Sequence, residues 1–317
     1  MKAIIINAFG GTDKLELTDV PVPASKDNEV LIENRAISIN PVDVRTRAGS
    51  AMAGALEQYM PLILGWDIAG TIVETGKAVT QFKKGDAVFG LVNFLGHGKG
   101  YAEYVAAPAD QLALKPAGVS FEQAAAATLS ALTAWQLLHH YAQVKKGDKV
   151  LIQAASGGVG HYAVQLAKYL GAHVTGVSSS KNREFVLGLG ADSHIAYDEQ
   201  AFEDVVKDAD VVMDAFAFDS LSRSVEATRP GGKIISLLPM ISAEVKQKAQ
   251  DKNIDLHYEL VHSSGEDMKV LADLMAKGLL RSHIDQVFAF EQMAQAHAAV
   301  ETGKTVGKIV VKLPSKI

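Results

Sequence analysis

The stretch VLIQAASGGVGHYAVQLAKYLG, residues 150–171, joins an apolar run to an amphipathic one through a glycine-rich turn. The segment KVLIQAA is almost entirely apolar, as expected of a parallel strand that is covered on both faces. After Gly160 the apolar residues recur at helical spacing, and Gly171 stands where a glycine commonly ends a helix. The stretch therefore predicts a buried strand, a tight turn and a helix in succession.

A turn of this kind suits the pyrophosphate of a dinucleotide, because glycine lets backbone amides approach a phosphate and the helix dipole favours its charge. The spacing G-x-G-x-x-G falls on residues 155–160, with Ala155 in place of the first glycine. The motif alone is weak evidence, and a purely structural turn is the alternative. Its position between a strand and a helix favours the binding interpretation.

The end of the next predicted strand, VTGVSSSKNREF, indicates which dinucleotide is bound. An acidic residue there would bond the ribose hydroxyls of NAD, but none occurs between Gly160 and Glu184. Hydroxyls and positive charge suited to a 2′-phosphate occur instead, on Ser178, Ser179, Ser180, Lys181 and Arg183. The pattern favours NADPH, although the same residues also suit the cap of the following helix.

Composition narrows the protein class. A chain of 317 residues suggests two domains, and 48% hydrophobic with 21% charged residues is ordinary globular composition. The net charge of -5 is well mixed, so we expect no nucleic-acid or membrane partner. Cysteine is absent, which excludes disulfides and thiolate zinc sites within this sequence.

Two segments bear on where the protein is found in the cell and on whether it crosses a membrane. The start, MKAIIINAFGG, lacks the apolar core of a signal peptide, and we expect a cytoplasmic protein. Residues 123–144 carry no formal charge, but Thr and Ser side chains interrupt their apolar run. A buried helix is the favoured interpretation of that segment.

The pattern along the chain predicts two domains and a tail. Residues 1–120 are rich in short strand-like runs, whereas residues 121–262 alternate strands and helices. Six strand candidates predict an α/β, doubly wound parallel sheet of the Rossmann type there. These candidates are KVLIQAA, HVTGVS, HIAY, DVVMDA, GKIISLL and IDLHYEL. The tail, 263–317, offers two helices and the strand GKIVVKL, and it either completes the first domain or extends the second.

Several segments, in order and spread over nearly the whole chain, resemble the zinc-free branch of the medium-chain dehydrogenase/reductase superfamily. The segments are ISINPVDVRTRAG, LGWDIAGTIVETG, FKKGDAVFGL, YAEYVAAPAD, AASGGVG, LGADSHIAY and VGKIVVKL. The branch is that of the zeta-crystallin-like quinone oxidoreductases and alkenal or enone reductases. The resemblance implies a GroES-like, β-rich catalytic domain at 1–120, completed by 263–317, and a Rossmann domain at 121–262.

The same resemblance implies that zinc is absent. Zinc-dependent relatives carry cysteine and a His-Glu pair where this chain has Asn40 and Trp66-Asp67. The ten histidines show no convincing ligand spacing, and we interpret them as surface or interface residues. No metal ligand is therefore predicted. Without a Lewis acid, we expect hydride transfer from NADPH to quinones or to the C=C bond of α,β-unsaturated carbonyls.

By resemblance, site residues are assigned in two groups. Asn40 and, with a less certain register, Tyr59 are candidate catalytic residues; Tyr59 either donates to the product oxyanion or merely packs. The predicted cofactor-binding residues are Asn40, Thr133, Ser156, Gly157, Gly158, Val159, Ser179, Lys181, Tyr197, Phe216 and Leu237. For Phe216 and Leu237, apolar residues at strand ends, a core role is the alternative.

Some features leave alternatives open. The glycine-rich loop 93–101 is expected to be mobile, and His97 and Tyr101 either reach a substrate or belong to a simple connection. The resemblance also implies a homodimer. A non-catalytic NADPH-binding protein and an enoyl-thioester reductase remain alternative functions.

Overall fold

The computed structural model describes residues 1–314, so residues 315–317 of the predicted tail lie outside the described part. The chain forms two compact units: a first unit of Met1–Leu132 with the residues from His262 onward, and a second unit of Thr133–Val261. Their boundary falls inside the helix Phe121–Trp135, later than the change of pattern near residue 120. A continuous helix keeps one apolar spacing, so its sequence does not mark the point where one unit ends.

The strands are β1 (Lys2–Ile6), β2 (Glu16–Asp19), β3 (Glu29–Ile39), β4 (Leu62–Ile63), β5 (Asp67–Thr75), β6 (Ala87–Leu91), β7 (Tyr104–Pro108), β8 (Leu112–Leu114), β9 (Lys149–Ile152), β10 (His173–Ser178), β11 (Ser193–Ala196), β12 (Ala209–Asp214), β13 (Thr228–Ser236), β14 (Asp255–Tyr258), β15 (Ile284–Ala289) and β16 (Lys308–Lys312). The α-helices are α1 (Pro41–Arg47), α2 (Ala53–Leu56), α3 (Phe121–Trp135), α4 (Gly160–Tyr169), α5 (Arg183–Gly188), α6 (Phe202–Val205), α7 (Asp219–Ala227), α8 (Ala243–Asp251), α9 (Gly265–Ala276) and α10 (Met293–Glu301).

The first unit contains two sheets, in agreement with the β-rich character expected of residues 1–120. One has the order β15-β16-β3-β5-β6-β8, with β7 also paired to β3, and the other the order β2-β1-β4. The tail strand β16 pairs antiparallel with β3, so that Ile309 lies opposite Ile39. The tail therefore contributes to the first unit's sheet.

The second unit is one parallel sheet of six strands in the order β11-β10-β9-β12-β13-β14. These are the six predicted strands, and the prediction of a doubly wound α/β sheet is confirmed. The chain runs outward from β9 to β11 and then returns to continue from β12 on the other side of β9. The strand order thus reverses between β9 and β12, where ligands of such sheets usually bind.

Among the elements that were not predicted, β15 and α8 are weakly apolar. Strand β15, IDQVFA, is mostly exposed, so its side chains lack the alternation of a half-buried strand. Helix α8 buries only Val245 and Ala249. The uncharged segment 123–144 forms α3 and a following π-helical turn, and no helix among residues 1–314 is long and apolar enough to cross a membrane.

The turn between β9 and α4 is the tightest feature of the second unit. The carbonyl of Ala154 accepts a hydrogen bond from the Gly157 amide at 2.8 Å. A Cβ atom on Gly160 would lie 2.1 Å from the same carbonyl oxygen, a distance that no side chain tolerates. Glycine is therefore required at residue 160 so that the helix can begin directly against the turn.

Gly160→Ala is expected to lower the free energy of unfolding by about 1–3 kcal/mol or more, because the added methyl group meets rigid backbone. Urea unfolding followed by circular dichroism measures this loss. Gly157→Ala is the matched control, since its Cβ would lie 3.2 Å from the Ala154 oxygen and needs only a small shift. Equal losses in the two variants would contradict this account of the turn.

Candidate functional site

The predicted phosphate turn, residues 156–159, lies between β9 and α4 at the carboxyl edge of the parallel sheet. Two side chains outside the motif hold it in place. His161 donates from Nδ1 to the Gly157 carbonyl oxygen at 2.9 Å, and Asn182 donates from Nδ2 to Ser156 Oγ at 2.9 Å. Asn182 follows β10, so the turn is tied to the neighbouring strand's loop.

The residues predicted to surround a 2′-phosphate are brought together beside this turn. Ser179 and Lys181 follow β10, and the Tyr197 amide, after β11, donates to the Ser178 carbonyl at 3.1 Å. Ser179 is nine-tenths buried, and its hydroxyl has no partner among the described residues. An unpartnered buried hydroxyl at this position suits a phosphate oxygen.

The cations of this loop differ in availability. Arg183 pairs with Glu199 at 2.9 Å, whereas Lys181 is exposed and makes no ion pair within residues 1–314.

The sequence analysis did not identify one acidic residue beside this loop. Asp198, after β11, accepts from the amide and the hydroxyl of Ser180, each at 2.8 Å, and these bonds lower its pKa. An acid supplied by the next strand cannot be found by scanning between Gly160 and Glu184.

Phe216 and Leu237 lie at the carboxyl ends of β12 and β13, on the same edge as the phosphate turn. Phe216 is 54% exposed, so a core role is excluded for it, whereas Leu237 is half-buried. The Leu237 amide donates to the Asp214 carbonyl at 2.9 Å. Thr133, by contrast, is buried within α3.

These residues fit a bound dinucleotide. The turn beside Gly160 has no room for a side chain, and the sheet edge offers a partnerless hydroxyl and an unpaired ammonium group in adjacent loops. Ser156–Val159 would hold the pyrophosphate, and Ser179, Lys181 and Tyr197 would hold the adenosine end.

In the first unit, Asn40 lies in a buried charged cluster. Its Nδ2 donates to Asp67 Oδ2 at 2.8 Å, and its Oδ1 accepts from Lys308 Nζ. Lys308 also donates to Ser130 Oγ at 3.0 Å. All four side chains are at least 97% buried. The amide of Asn40 is therefore fixed at both ends by a carboxylate and an ammonium group.

Asp43 lies three residues after Asn40, and its Oδ2 accepts a hydrogen bond from the backbone amide of Asn40 at 2.7 Å. Burial, and then the nearby charge of Asp67, raise the pKa of Asp43 to about 8. Burial also raises the pKa of Asp67 and lowers that of Lys308. Asp43 consequently holds a proton in the folded protein at neutral pH.

Three histidines correct the interpretation of the histidines as surface or interface residues, because they are buried within the chain. His297 is fully buried against the Tyr101 hydroxyl at 3.0 Å, and burial lowers its pKa to about 3. His161 is buried against the phosphate turn, and His194 is buried with Nε2 at 2.7 Å from Ser178 Oγ. In each of these cases a nearby polar group satisfies a ring nitrogen, which makes burial possible.

The loop 93–101 is also different from the expectation. Tyr101 is completely buried, so the interpretation that it reaches a substrate is wrong. Trp66 donates from its indole to the Gly96 carbonyl at 2.8 Å, and the Tyr101 amide donates to the Leu64 carbonyl at 2.9 Å. These bonds tie the loop to residues 62–66, which a scan for glycine content cannot foresee.

Tyr59 and His97 form an accessible aromatic pair in the first unit. Their ring centroids lie 4.9 Å apart, and Tyr59 is 47% exposed. His97 Nε2 lies 3.0 Å from the Ile63 carbonyl, and burial lowers the pKa of His97 to about 4. A neutral His97, donating to that carbonyl, thus packs against the half-exposed Tyr59 ring. Among residues 1–314, no group of three His, Asp or Glu side chains is arranged to hold a metal ion.

The comparisons with known proteins agree with this arrangement. Residues 26–117 match the family described as alcohol dehydrogenase GroES-like domain, and residues 189–311 match zinc-binding dehydrogenase. A chloroplast envelope quinone oxidoreductase homolog of Arabidopsis thaliana is 34% identical, over 98% of both chains. An NADPH-dependent alkenal/one oxidoreductase of the same plant is 32% identical, over 98% of this chain and 79% of its own. The structure of the quinone oxidoreductase from Coxiella burnetii matches with a TM-score of 0.93 and 36% identity, covering 99% of both chains.

The fold is thus that of a two-domain protein with a GroES-like and a Rossmann-type part. The chain belongs to the medium-chain dehydrogenase/reductase superfamily, with quinone oxidoreductases and alkenal reductases among its homologues.

The raised pKa of Asp43 makes stability depend on pH. Between about pH 4 and 8 Asp43 keeps a proton in the folded chain that it releases in the unfolded chain, so the contribution of Asp43 to the free energy of unfolding falls as pH rises. One such group contributes up to about 1.4 kcal/mol per pH unit. Asp43→Asn, which cannot ionise, removes this contribution, so the slope of the free energy of unfolding against pH between about pH 5 and 7 should become more positive than in the natural protein, as measured by urea unfolding at each pH.

Asp13→Asn is the control for this prediction. The pKa of Asp13 is lowered by its bond to Lys14, so its contribution is lost only at more acidic pH and the slope from pH 5 to 7 should not change. A slope in Asp43→Asn equal to that of the natural protein would show that Asp43 is ionised in the fold.

Proposed function

We propose that the protein is an NADPH-dependent oxidoreductase that acts on quinones or α,β-unsaturated carbonyls without zinc. One observation carries the cofactor assignment: the phosphate turn and the unpaired Lys181 lie side by side on the carboxyl edge of one parallel sheet. The names of the relatives, quinone oxidoreductase and NADPH-dependent alkenal/one oxidoreductase, support the activity.

Bound NADPH supplies a hydride to the electron-poor carbon of the acceptor. The chain's part begins with binding. Backbone amides of Ser156–Val159 and the amino end of α4 hold the pyrophosphate, because their partial positive charge faces the phosphates. Lys181 neutralises the 2′-phosphate, and the Ser179 hydroxyl donates to it.

The acceptor side needs donors for the carbonyl oxygen, on which negative charge develops. We assign this role to the hydroxyl of the half-exposed Tyr59, whose ring packs against the neutral His97 ring. Asn40 remains the second candidate. Its oxygen accepts from Lys308 and one N–H of its amide nitrogen donates to Asp67, so a catalytic role would depend on the second N–H of a buried side chain.

A homodimer is part of the proposal. Strand β14 ends the six-stranded sheet, and its outer edge pairs with no other strand of residues 1–314. An open edge of this kind can pair with a second copy.

Location in the cytoplasm, and the lack of nucleic-acid or membrane partners, remain predictions from the composition.

The test of the activity is the fall in absorbance of NADPH when a panel of quinones and enones is added. We expect turnover with at least one acceptor of each panel and a much slower rate with NADH. Tight NADPH binding without oxidation by any acceptor would contradict the proposal and support the non-catalytic alternative.

Lys181→Ala should weaken NADPH binding about 10- to 100-fold and leave NADH binding nearly unchanged, because only NADPH carries the phosphate that the ammonium group contacts. Calorimetric titration with each coenzyme measures both constants. Arg183→Ala is the matched control, since Glu199 already pairs with that guanidinium group and a smaller loss is expected. Equal weakening of NADPH and NADH by Lys181→Ala would refute the assigned contact.

Tyr59→Phe should lower kcat about 100-fold with little change in the Kd of NADPH, because it removes one donor to the developing oxyanion while keeping the ring against His97. Steady-state kinetics with one quinone and one enone tests this. Tyr169→Phe, at an exposed phenol ending α4, serves as the control. An undiminished kcat would leave protonation and charge stabilisation to solvent.

A further inference from the structure

The segment Phe216–Ala217–Phe218, here called the Phe turn, joins β12 to α7 in an unusual conformation. Ala217 has a φ of 61°, and Phe218 has a φ of 51° with a ψ of -128°. The values at Phe218 lie outside the main regions open to residues with a side chain, and glycine adopts them more easily. Two successive residues with positive φ, neither of them glycine, make this turn strained.

Asp214 holds the turn in this conformation. Its buried carboxylate accepts from the Phe216 amide at 2.9 Å and from the Ala217 amide at 3.0 Å. Its other oxygen accepts from the hydroxyls of Ser220 and Ser224, on α7, at 2.9 and 2.7 Å. The turn and the helix that follows it are thus bonded to one carboxylate at the end of β12, which compensates for the strained backbone.

The turn carries two aromatic rings that the fold does not use. Phe216 is 54% exposed and Phe218 is 64% exposed. An exposed phenylalanine gains little from burial, and in a conformation suited to glycine it also adds strain. Folding alone therefore does not explain why phenylalanine stands at residue 218.

The location of the turn suggests an explanation. Gln153, which leads into the phosphate turn, donates its amide to the Met213 carbonyl at 3.1 Å and its side chain to Asp214 at 3.0 Å. The Phe turn and the phosphate turn are consequently neighbours at the point between β9 and β12 where the strand order reverses. Ligands of parallel sheets bind outside the carboxyl ends of the strands at this point.

We propose that Phe218 is a specificity-determining residue whose ring stacks on a flat hydride acceptor, so that fused-ring quinones are preferred to short aliphatic enals. This rests on the proposed function. An aromatic ring favours another planar π surface in offset contact and gains less from a small aliphatic chain. The strained turn then serves to present the ring, at a cost in stability that glycine would avoid.

The experiment compares two variants with the natural protein. Phe218→Ala removes the ring and keeps the strained conformation, whereas Phe218→Gly removes both. With NADPH saturating, kcat/KM is measured for 9,10-phenanthrenequinone and for crotonaldehyde, and Tm is measured for each variant. Asn253→Gly is the matched control, because it relieves another positive φ, 55°, in the loop after α8.

Both Phe218 variants should lose about tenfold in kcat/KM for the fused-ring quinone and less than about twofold for the short enal. Their Kd for NADPH should not change, and Phe218→Gly should have the higher Tm of the two. Asn253→Gly should leave the ratio of the two kcat/KM values as it is in the natural protein.

An unchanged ratio in both Phe218 variants, in an enzyme that still oxidises NADPH, would overturn the role of Phe218 alone. Equal losses for both acceptors would overturn it as well, since the ring would then not discriminate between them. If the natural protein oxidises NADPH with neither acceptor nor any other, the proposed function fails, and the role of Phe218 falls with it.

Discussion

The second unit is organised around the close approach of the Ala154 carbonyl to Gly160. Because Gly160 has no side chain, helix α4 begins directly against the Ala154 carbonyl, and its amino end lies at the carboxyl edge of the sheet. The neighbouring contacts depend on this approach. His161 and Asn182 bond the turn from two sides, and Gln153 links it to Asp214. A single backbone approach thus fixes the shape of the proposed diphosphate site and which loops lie beside it.

Charge is handled differently in the two units. In the first unit, Asp43, Asp67 and Lys308 are buried. Burying charged groups is costly unless they are paired, protonated or hydrogen-bonded. Here Asp67 and Lys308 hold the side-chain amide of Asn40. In the second unit, Lys181, the cation that we propose binds the 2′-phosphate, is exposed and unpaired and thus remains available to a ligand. The Phe turn is a third case, in which local strain is compensated by the five bonds to Asp214 from Gln153, Phe216, Ala217, Ser220 and Ser224.

Much of the second unit was predictable from sequence because its signals are local. Each parallel strand is a short apolar run, and the phosphate turn, with Ser179 and Lys181, follows directly from such runs. The buried cluster was not predictable, since Lys308 meets Asn40 from 268 residues away along the chain. The same applies to His297 beneath Tyr101 and to Asp198 beside Ser180. Nor does the sequence reveal that residues 217 and 218 adopt positive φ, because neither is glycine.

Calorimetric titration of the natural protein with NADPH tests the central claim most directly, because it measures binding of the proposed coenzyme without assuming a substrate. We predict saturable binding with one site per chain, and markedly weaker binding of NADH. Absence of any heat of binding at millimolar NADPH would contradict the account, however closely the chain resembles its relatives.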